Sequence, residues 1–228
     1  SWGELEKLGE LTVYDRTSLT DEDEIIARIA DAEVVLTNKT PISRRTIDAC
    51  PSMRFIAMLA TGYNVVDLDA ARDADVIVSN VPAYSTPDVA QMTFALLLEL
   101  CLHVGEHSRL VMDGSWTRAK DFSFWSTPLV ELAGKTMGIV GMGSIGQAVG
   151  RIARAFGMPV VFENRSPKPQ LEGDGVRQAG LDELLATADV VSLHVPATPE
   201  TEHLMDAAAL AKMKEGSYLL NTARGSLV

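Results

Sequence analysis

Between Thr136 and Phe156 the sequence reads TMGIVGMGSIGQAVGRIARAF: a short apolar run, glycines in GxGxxG spacing at Gly141, Gly143 and Gly146, then apolar residues at helical spacing. Strand, glycine turn and helix in that order is the context in which a dinucleotide's phosphates are held. Gly141 permits the tight turn, Gly143 lets a pyrophosphate approach the backbone, and Gly146 lets helix and strand pack closely. The start of the helix then offers free N–H groups and the positive end of its dipole to an anion. A glycine-rich loop without a ligand is the plain alternative, but it leaves the matching flanks unexplained.

A chain of 228 residues, 46% of them hydrophobic, holds one large domain or two small ones with a proper core. Its formal charge of −11 argues against nucleic acid or an anionic membrane surface as partner. Cys50 and Cys101 both lie in segments that read as packed, so no disulfide framework is implied and a reducing cytoplasm is expected. The apolar run Met92 to Leu98 stops at Glu99, and the Met137 to Phe162 region carries Arg151 and Arg154, so neither reads as a membrane span. Ser1-Trp2-Gly3-Glu4 resembles neither a signal peptide nor a true start, and the chain is expected to be cut short there.

Upstream of the fingerprint, short apolar runs alternate with helical ones. Leu11 to Tyr14, Glu33 to Thr37, Arg54 to Leu59 and Asp75 to Ser79 are predicted as strands, and Asp21 to Ala30, Ser43 to Ala49 and Val66 to Asp73 as helices. Such alternation implies a parallel sheet covered on both faces. Thr61-Gly62-Tyr63-Asn64 follows the third of these strands. It reads equally as a loop whose N–H groups hold a small anion and as an ordinary turn with Gly62 at positive φ.

Ser85, with Asp88 three positions on and Pro87 in the first turn, predicts the start of a helix running to about Met112. Its middle is apolar on nearly every side, which predicts a link buried between two bodies and makes a homodimer the expected assembly. The architecture expected is therefore α/β: two Rossmann-like parallel-sheet domains, one flavodoxin-like and one dinucleotide-binding, joined by a long helix. Residues 1–95 would form the substrate-binding domain and 96–228 the NAD(P)-binding domain. His103 and His107 stand four apart on the helix, but with no carboxylate motif beside them they read as polar positions rather than metal ligands. Trp116 to Trp125 is an irregular aromatic loop that lines either a cleft or a subunit contact.

Beyond the fingerprint, Pro159 to Phe162 is predicted as the next strand. The residue expected to grip a ribose 2′-hydroxyl is Asn164, between Glu163 and Arg165. An amide does not repel a 2′-phosphate, and Arg165 or Lys168 can pair with one, so the cofactor is NADP or NAD with NADP favoured. Leu181 to Ala186 and Asp206 to Met213 read as helices, and Ala188 to Val195 and Ser217 to Asn221 as strands. His194, near the end of its strand, is expected to be a neutral packed residue.

Four stretches together span nearly the whole chain: TGYNVVDLDAA at Thr61 to Ala71, NVPAYSTPDVAQMTFALLLE at Asn80 to Glu99, GKTMGIVGMGSIGQAVGRIARAFGM at Gly134 to Met158, and LLNTARGSLV at Leu219 to Val228. In content, order and spacing they resemble the D-isomer-specific 2-hydroxyacid dehydrogenase family. The loop WTRAKDFSFW at Trp116 to Trp125 is similar to the subgroup that reduces hydroxypyruvate or glyoxylate, the glycerate dehydrogenases. The resemblance implies that Arg224 holds the substrate carboxylate and polarises its keto oxygen, with Thr61, Gly62 and Tyr63 forming the carboxylate loop. It implies that Gly143, Ser144 and Ile145 cradle the pyrophosphate, and that Pro196, Thr201, Thr222 and Ala223 line the adenine and nicotinamide ends. Outside its TARG setting Arg224 would read as a surface ion pair.

The family usually has Asp where this chain has Asn164, and a glutamate and histidine pair well downstream of TARG. The chain as given is therefore expected to be an incomplete and inactive copy of an enzyme. The rival of another class is a non-catalytic dinucleotide-sensing or corepressor-like module on the same fold. A sister phosphoglycerate or formate dehydrogenase is the enzymatic rival.

Overall fold

A computed structural model describes residues 2–228, which fall into two compact units, one ending at Pro82 and one beginning at Ala83. The first unit runs α1 (Gly3–Glu6), α2 (Glu22–Ile29), β1 (Val34–Thr37), α3 (Arg44–Ala49), β2 (Phe55–Met58), α4 (Leu68–Asp73) and β3 (Ile77–Ser79). Side-chain oxygens fix three helix starts: Asp21, Ser43 and Asp67 accept from the N–H groups of Glu24, Thr46 and Ala70.

The three strands described in this unit pair in parallel in sequence order, β1-β2-β3. Ile56 and Met58 of β2 are buried in one core with Ile25, Ile29, Ile47, Ala70 and Ala71, while Phe55 and Ala57, which point the other way, are half-buried. Among the described residues, α2, α3 and α4 pack on this one face. Successive right-handed crossovers that advance in one direction put their helices on the same side. Leu11 to Tyr14 is irregular rather than a strand: Val13 and Tyr14 are exposed, and the Tyr14 ring lies under the Arg28 guanidinium, 4.7 Å from its centroid.

In the second unit, α5 (Thr86–Leu102) and α6 (Val104–Met112) precede β4 (Met137–Val140), α7 (Ser144–Ala155), β5 (Val160–Glu163), β6 (Val176–Gln178), α8 (Leu181–Thr187), β7 (Val190–Leu193), α9 (Ala207–Ala211) and β8 (Tyr218–Asn221). All five strands are parallel in the order β6-β5-β4-β7-β8. Every residue of β4 and β7 is buried, as a sheet covered on both faces demands. Met137 and Ile139 pack with Phe94, Leu97, Val149 and Ala153 from α5 and α7, while Val140, Val191 and Leu193 pack with Leu184 and Leu185 of α8. The chain builds outward from β4 first to one side and then to the other, so the topological switch lies between β4 and β7. Strand β6, only three residues long after the glycine-rich Gly173 to Gly175, has too short an apolar pattern to be legible beforehand.

The single helix predicted from Ser85 to Met112 is two helices bent by 60° at His103, whose φ of 48° is left-handed. His103 N–H closes α5 on the Glu99 carbonyl, and the Glu99 carboxylate reaches across the break to accept from Gly105 N–H at 3.1 Å. That carboxylate satisfies a donor that an unbroken helix would have bonded internally. The Ser85 and Asp88 capping box does not form, because Ser85 is not in the extended conformation a cap needs; Pro87 does sit in the first turn. Nor is α5 buried all round, since Met92, Leu96 and Leu100 form an exposed stripe in this unit. No single helix among the described residues is long and apolar enough to cross a membrane.

Candidate functional site

Across the second sheet Val140, Leu193 and Asn221 are partners in register, so Gly141, His194 and Thr222 leave β4, β7 and β8 at the same level. At a strand spacing of about 4.8 Å, these three carboxyl ends lie within about 10 Å along the sheet edge. This edge, at the switch point, is where open α/β sheets bind ligands.

The glycine turn has the steric profile that its spacing implied. Gly141 has φ of +95°, and a β-carbon there would lie 2.7 Å from the His194 carbonyl oxygen and 2.8 Å from Val195 Cγ1. A β-carbon on Gly146 would overlap the Gly141 carbonyl. At Gly143 nothing lies within 4 Å of such an atom, and Gly143 and Ser144 are exposed. Gly143 begins α7 without a side-chain cap, and the N–H groups of Gly143, Ser144 and Ile145 meet no acceptor among the described residues. Uncapped donors at a helix start beneath open space fit the pyrophosphate of a dinucleotide.

At the end of β5, Asn164 ties the turn in place. Its Oδ1 accepts from Met142 N–H at 3.1 Å, and its Nδ2 donates to the Ser166 carbonyl at 2.9 Å. Lys168 Nζ donates to the Met142 carbonyl at 3.1 Å. Arg165 is exposed and forms no ion pair among the described residues, while burial pushes the pKa of the half-buried Glu163 carboxyl up. After β7, the Thr201 hydroxyl donates to the Pro196 carbonyl at 2.7 Å and accepts from Thr198 N–H at 2.8 Å, so it shapes the loop that presents the exposed Pro196. His194 is neutral as expected: burial pushes its pKa down to about 4, and its Nε2 bonds the buried Ser192 hydroxyl at 2.8 Å.

The loop after β8 is clamped by a residue the sequence reading left without a role. Asn221 accepts from Ala223 N–H at 3.1 Å and donates to the Arg224 carbonyl at 2.8 Å, bracketing Thr222 and Ala223. Thr222 meets the hydroxyl of Thr93 on α5 at 3.1 Å. Arg224 itself is exposed, donates from Nη1 to the Ala223 carbonyl at 3.0 Å, and has no carboxylate within ion-pair distance among the described residues. The surface ion pair that would explain it trivially is not there. Thr93 carried a signal that went unread, as the one polar residue between Met92 and Leu98.

In the first unit, Thr61 to Asn64 leave the carboxyl end of β2. The Thr61 hydroxyl donates to the Val81 carbonyl at 3.0 Å, and Asn80 Nδ2 donates to the Thr61 carbonyl at 2.8 Å. Gly62 is not at positive φ, so the plain turn imagined for it is not the conformation adopted. The N–H groups of Thr61, Gly62 and Tyr63 have no acceptor among the described residues, and Tyr63 is half exposed. Elsewhere, His107 spends both ring nitrogens within the chain, on the His103 carbonyl and on Ser126 N–H.

Residues 94–228 match the D-isomer specific 2-hydroxyacid dehydrogenase NAD binding domain. The whole chain is similar to a hydroxypyruvate reductase of Blautia hydrogenotrophica, at 51% identity over 227 residues, which cover 70% of that protein. It also superposes on the crystal structure of a Thermus thermophilus protein with a TM-score of 0.86 and 38% identity, covering 100% of this chain and 71% of that one. A third match is the Aquifex aeolicus D-lactate dehydrogenase complexed with NAD and lactic acid, with a TM-score of 0.86 and 32% identity over 100% of this chain and 66% of that one. The chain therefore belongs to the D-isomer specific 2-hydroxyacid dehydrogenase family, with a nicotinamide dinucleotide-binding domain of Rossmann type in its second unit.

Proposed function

We propose that the protein transfers hydride from a reduced nicotinamide dinucleotide to a short 2-keto acid, yielding the D-2-hydroxy acid, with hydroxypyruvate or glyoxylate as substrate. The observation that carries this reading is the shared level of Gly141, His194 and Thr222 at the switch point, with uncapped donors above Gly143 and an unpaired guanidinium on Arg224. The hydroxypyruvate choice draws on the relative at 51% identity and on the Trp116 to Trp125 loop.

In this reading Gly143, Ser144 and Ile145 hold the pyrophosphate through their N–H groups, and Pro196, Thr201, Thr222 and Ala223 line the two ends of the cofactor. The dinucleotide supplies the hydride. Arg224 fixes the substrate carboxylate and polarises the keto oxygen, as a planar fork of charged donors does best. Thr61, Gly62 and Tyr63 offer N–H groups to the carboxylate. Residues 1–95 serve the substrate and 96–228 the cofactor. Arg165, exposed and in no direct ion pair, together with the uncharged Asn164, favours NADP over NAD. The protein works in the cytoplasm as a homodimer.

The test is loss of NADPH absorbance with hydroxypyruvate, glyoxylate and pyruvate for the complete gene product, alongside equilibrium titration of this chain with NADPH and NADH. Turnover with hydroxypyruvate or glyoxylate is expected. A folded chain that binds neither dinucleotide overturns the proposal.

A further inference from the structure

Thr93 lies on the buried face of α5 and is fully inaccessible to solvent. Its hydroxyl donates to the Val89 carbonyl one helical turn back at 2.8 Å and lies 3.1 Å from the hydroxyl of Thr222. A hydroxyl has one proton and two lone pairs. Thr93 has given its proton to Val89, so the Thr222 hydroxyl must donate to Thr93, and the chain of bonds has one direction: Thr222 to Thr93 to the Val89 carbonyl. Thr222 is thereby locked in one rotamer. Two residues on, Arg224 is held by the Asn221 amide, which brackets the same short loop from within. Asn221 moves with β8, whereas Thr93 belongs to a different element. The Thr93 bond therefore sets the loop's position against a rigid helix.

We propose that Thr93 is a positioning residue of this enzyme, its buried hydroxyl fixing Thr222 and through it the backbone from which Arg224 reaches the substrate carboxylate. This rests on the reading of Arg224 given above. A threonine in the middle of an apolar helical run costs little in propensity, yet buries a polar group that packing alone does not require. A valine would have filled the same volume.

The test is a double-mutant cycle of Thr93→Val and Thr222→Val, with Thr93→Ser as the conservative variant, in the complete enzyme. Thr93→Val keeps the side-chain shape and removes the bond. It is expected to raise KM for the keto acid about tenfold, with NADPH affinity changed less than about threefold and a thermal midpoint close to the parent's. Thr93→Ser, which keeps the hydroxyl, is expected to recover most of the loss. The double variant is expected to be no worse than the poorer single one, because both remove the same bond. Amide exchange at Ala223 and Arg224 should quicken in Thr93→Val. Unchanged KM and exchange in Thr93→Val overturn the proposal, as do additive losses in the cycle. So does a Thr93→Ser variant as impaired as Thr93→Val, since that outcome assigns the residue to packing. Should Thr93→Val fail to fold, Thr222→Val reads the same bond from its half-buried end. An Arg224→Gln enzyme with parental kinetics would instead sink the reading of Arg224, a result distinguishable from all of these.

Discussion

The carbonyl oxygen of His194 lies 2.7 Å from the place a β-carbon on Gly141 would occupy. The end of β7 and the first glycine of the turn are therefore packed with no room for a side chain, at the point where the sheet reverses its order. With φ of +95°, Gly141 also adopts a conformation in which an L side chain is strained.

Two alanine substitutions in this turn should separate folding from binding. Gly141→Ala adds a backbone clash to a left-handed strain of about 1–2 kcal/mol, and is expected to lower the thermal midpoint and abolish dinucleotide binding. Gly143→Ala meets open space at φ of −77°, so stability should hold while the new methyl stands where a phosphate would approach. A rise of about tenfold or more in the dissociation constant for NADPH, at an unchanged midpoint, is expected from fluorescence titration. Equal affinity in Gly143→Ala would place the phosphates elsewhere.

Arg224 offers a charge that no carboxylate among the described residues neutralises. Replacing it with Gln keeps polar donors but removes the charge and the fork, which for a bidentate carboxylate pair amounts to about 3 kcal/mol. kcat/KM for the keto acid should fall about a hundredfold or more, while NADPH affinity and the thermal midpoint stay near parental values. Steady-state kinetics with hydroxypyruvate and glyoxylate make the measurement.

Much of this was legible in the sequence because apolar runs and glycine spacing report directly on strands and on close backbone approach. The GxGxxG turn and the strands β4, β5, β7 and β8 were found within a residue or two. What escaped was set by tertiary partners. Leu11 to Tyr14 has strand composition but pairs with no strand among the described residues, where Val13 stays exposed. The break at His103 depends on the Glu99 carboxylate folding over Gly105, a contact invisible to periodicity. The roles of Thr93 and Asn221 become visible only once α5 and the loop after β8 are brought together.

In the proposed reading, cofactor preference turns on the residues after β5. Arg165 is exposed and, though near enough to Glu200 to help hold its pKa down, forms no direct ion pair among the described residues, whereas Lys168 already donates to the Met142 carbonyl. A 2′-phosphate should therefore be met chiefly by Arg165, and Arg165→Ala is expected to weaken NADPH binding about tenfold with little change for NADH. Parallel titrations with the two dinucleotides give the ratio. An unaltered ratio would remove Arg165 from cofactor selection.

Dimerisation has a candidate face in the second unit. Met92, Leu96 and Leu100 line one side of α5, and Met112, Phe122 and Trp125 stand 84%, 92% and 67% exposed. Leu102, Val104, Val111, Trp116 and Leu129 are exposed as well, and a stable interface takes roughly 800 Å² from each partner. Leu96→Glu with Leu100→Glu should shift sedimentation from dimer to monomer. A parent that sediments as a monomer at micromolar concentration would leave that face to another role.

His194 ties stability to pH. Burial pushes its pKa down to about 4, while in the unfolded chain it takes up a proton near 6.5. Between those values the unfolded state binds more protons than the folded one, so the contribution is complete above pH 6.5 and drains away as pH falls towards 4. Its full size is at most about 3 kcal/mol at one pH unit per 1.36 kcal/mol. Urea midpoints at pH 7.5 and 4.5 should therefore lie closer together in His194→Gln than in the parent, since glutamine has no proton to gain. The amide can still bond the Ser192 hydroxyl, which keeps that buried oxygen partnered and confines the change to charge. Equal pH dependence in the two proteins would mean that the imidazole is solvated enough to titrate normally, and that the edge beside Gly141 is wetter than its packing implies.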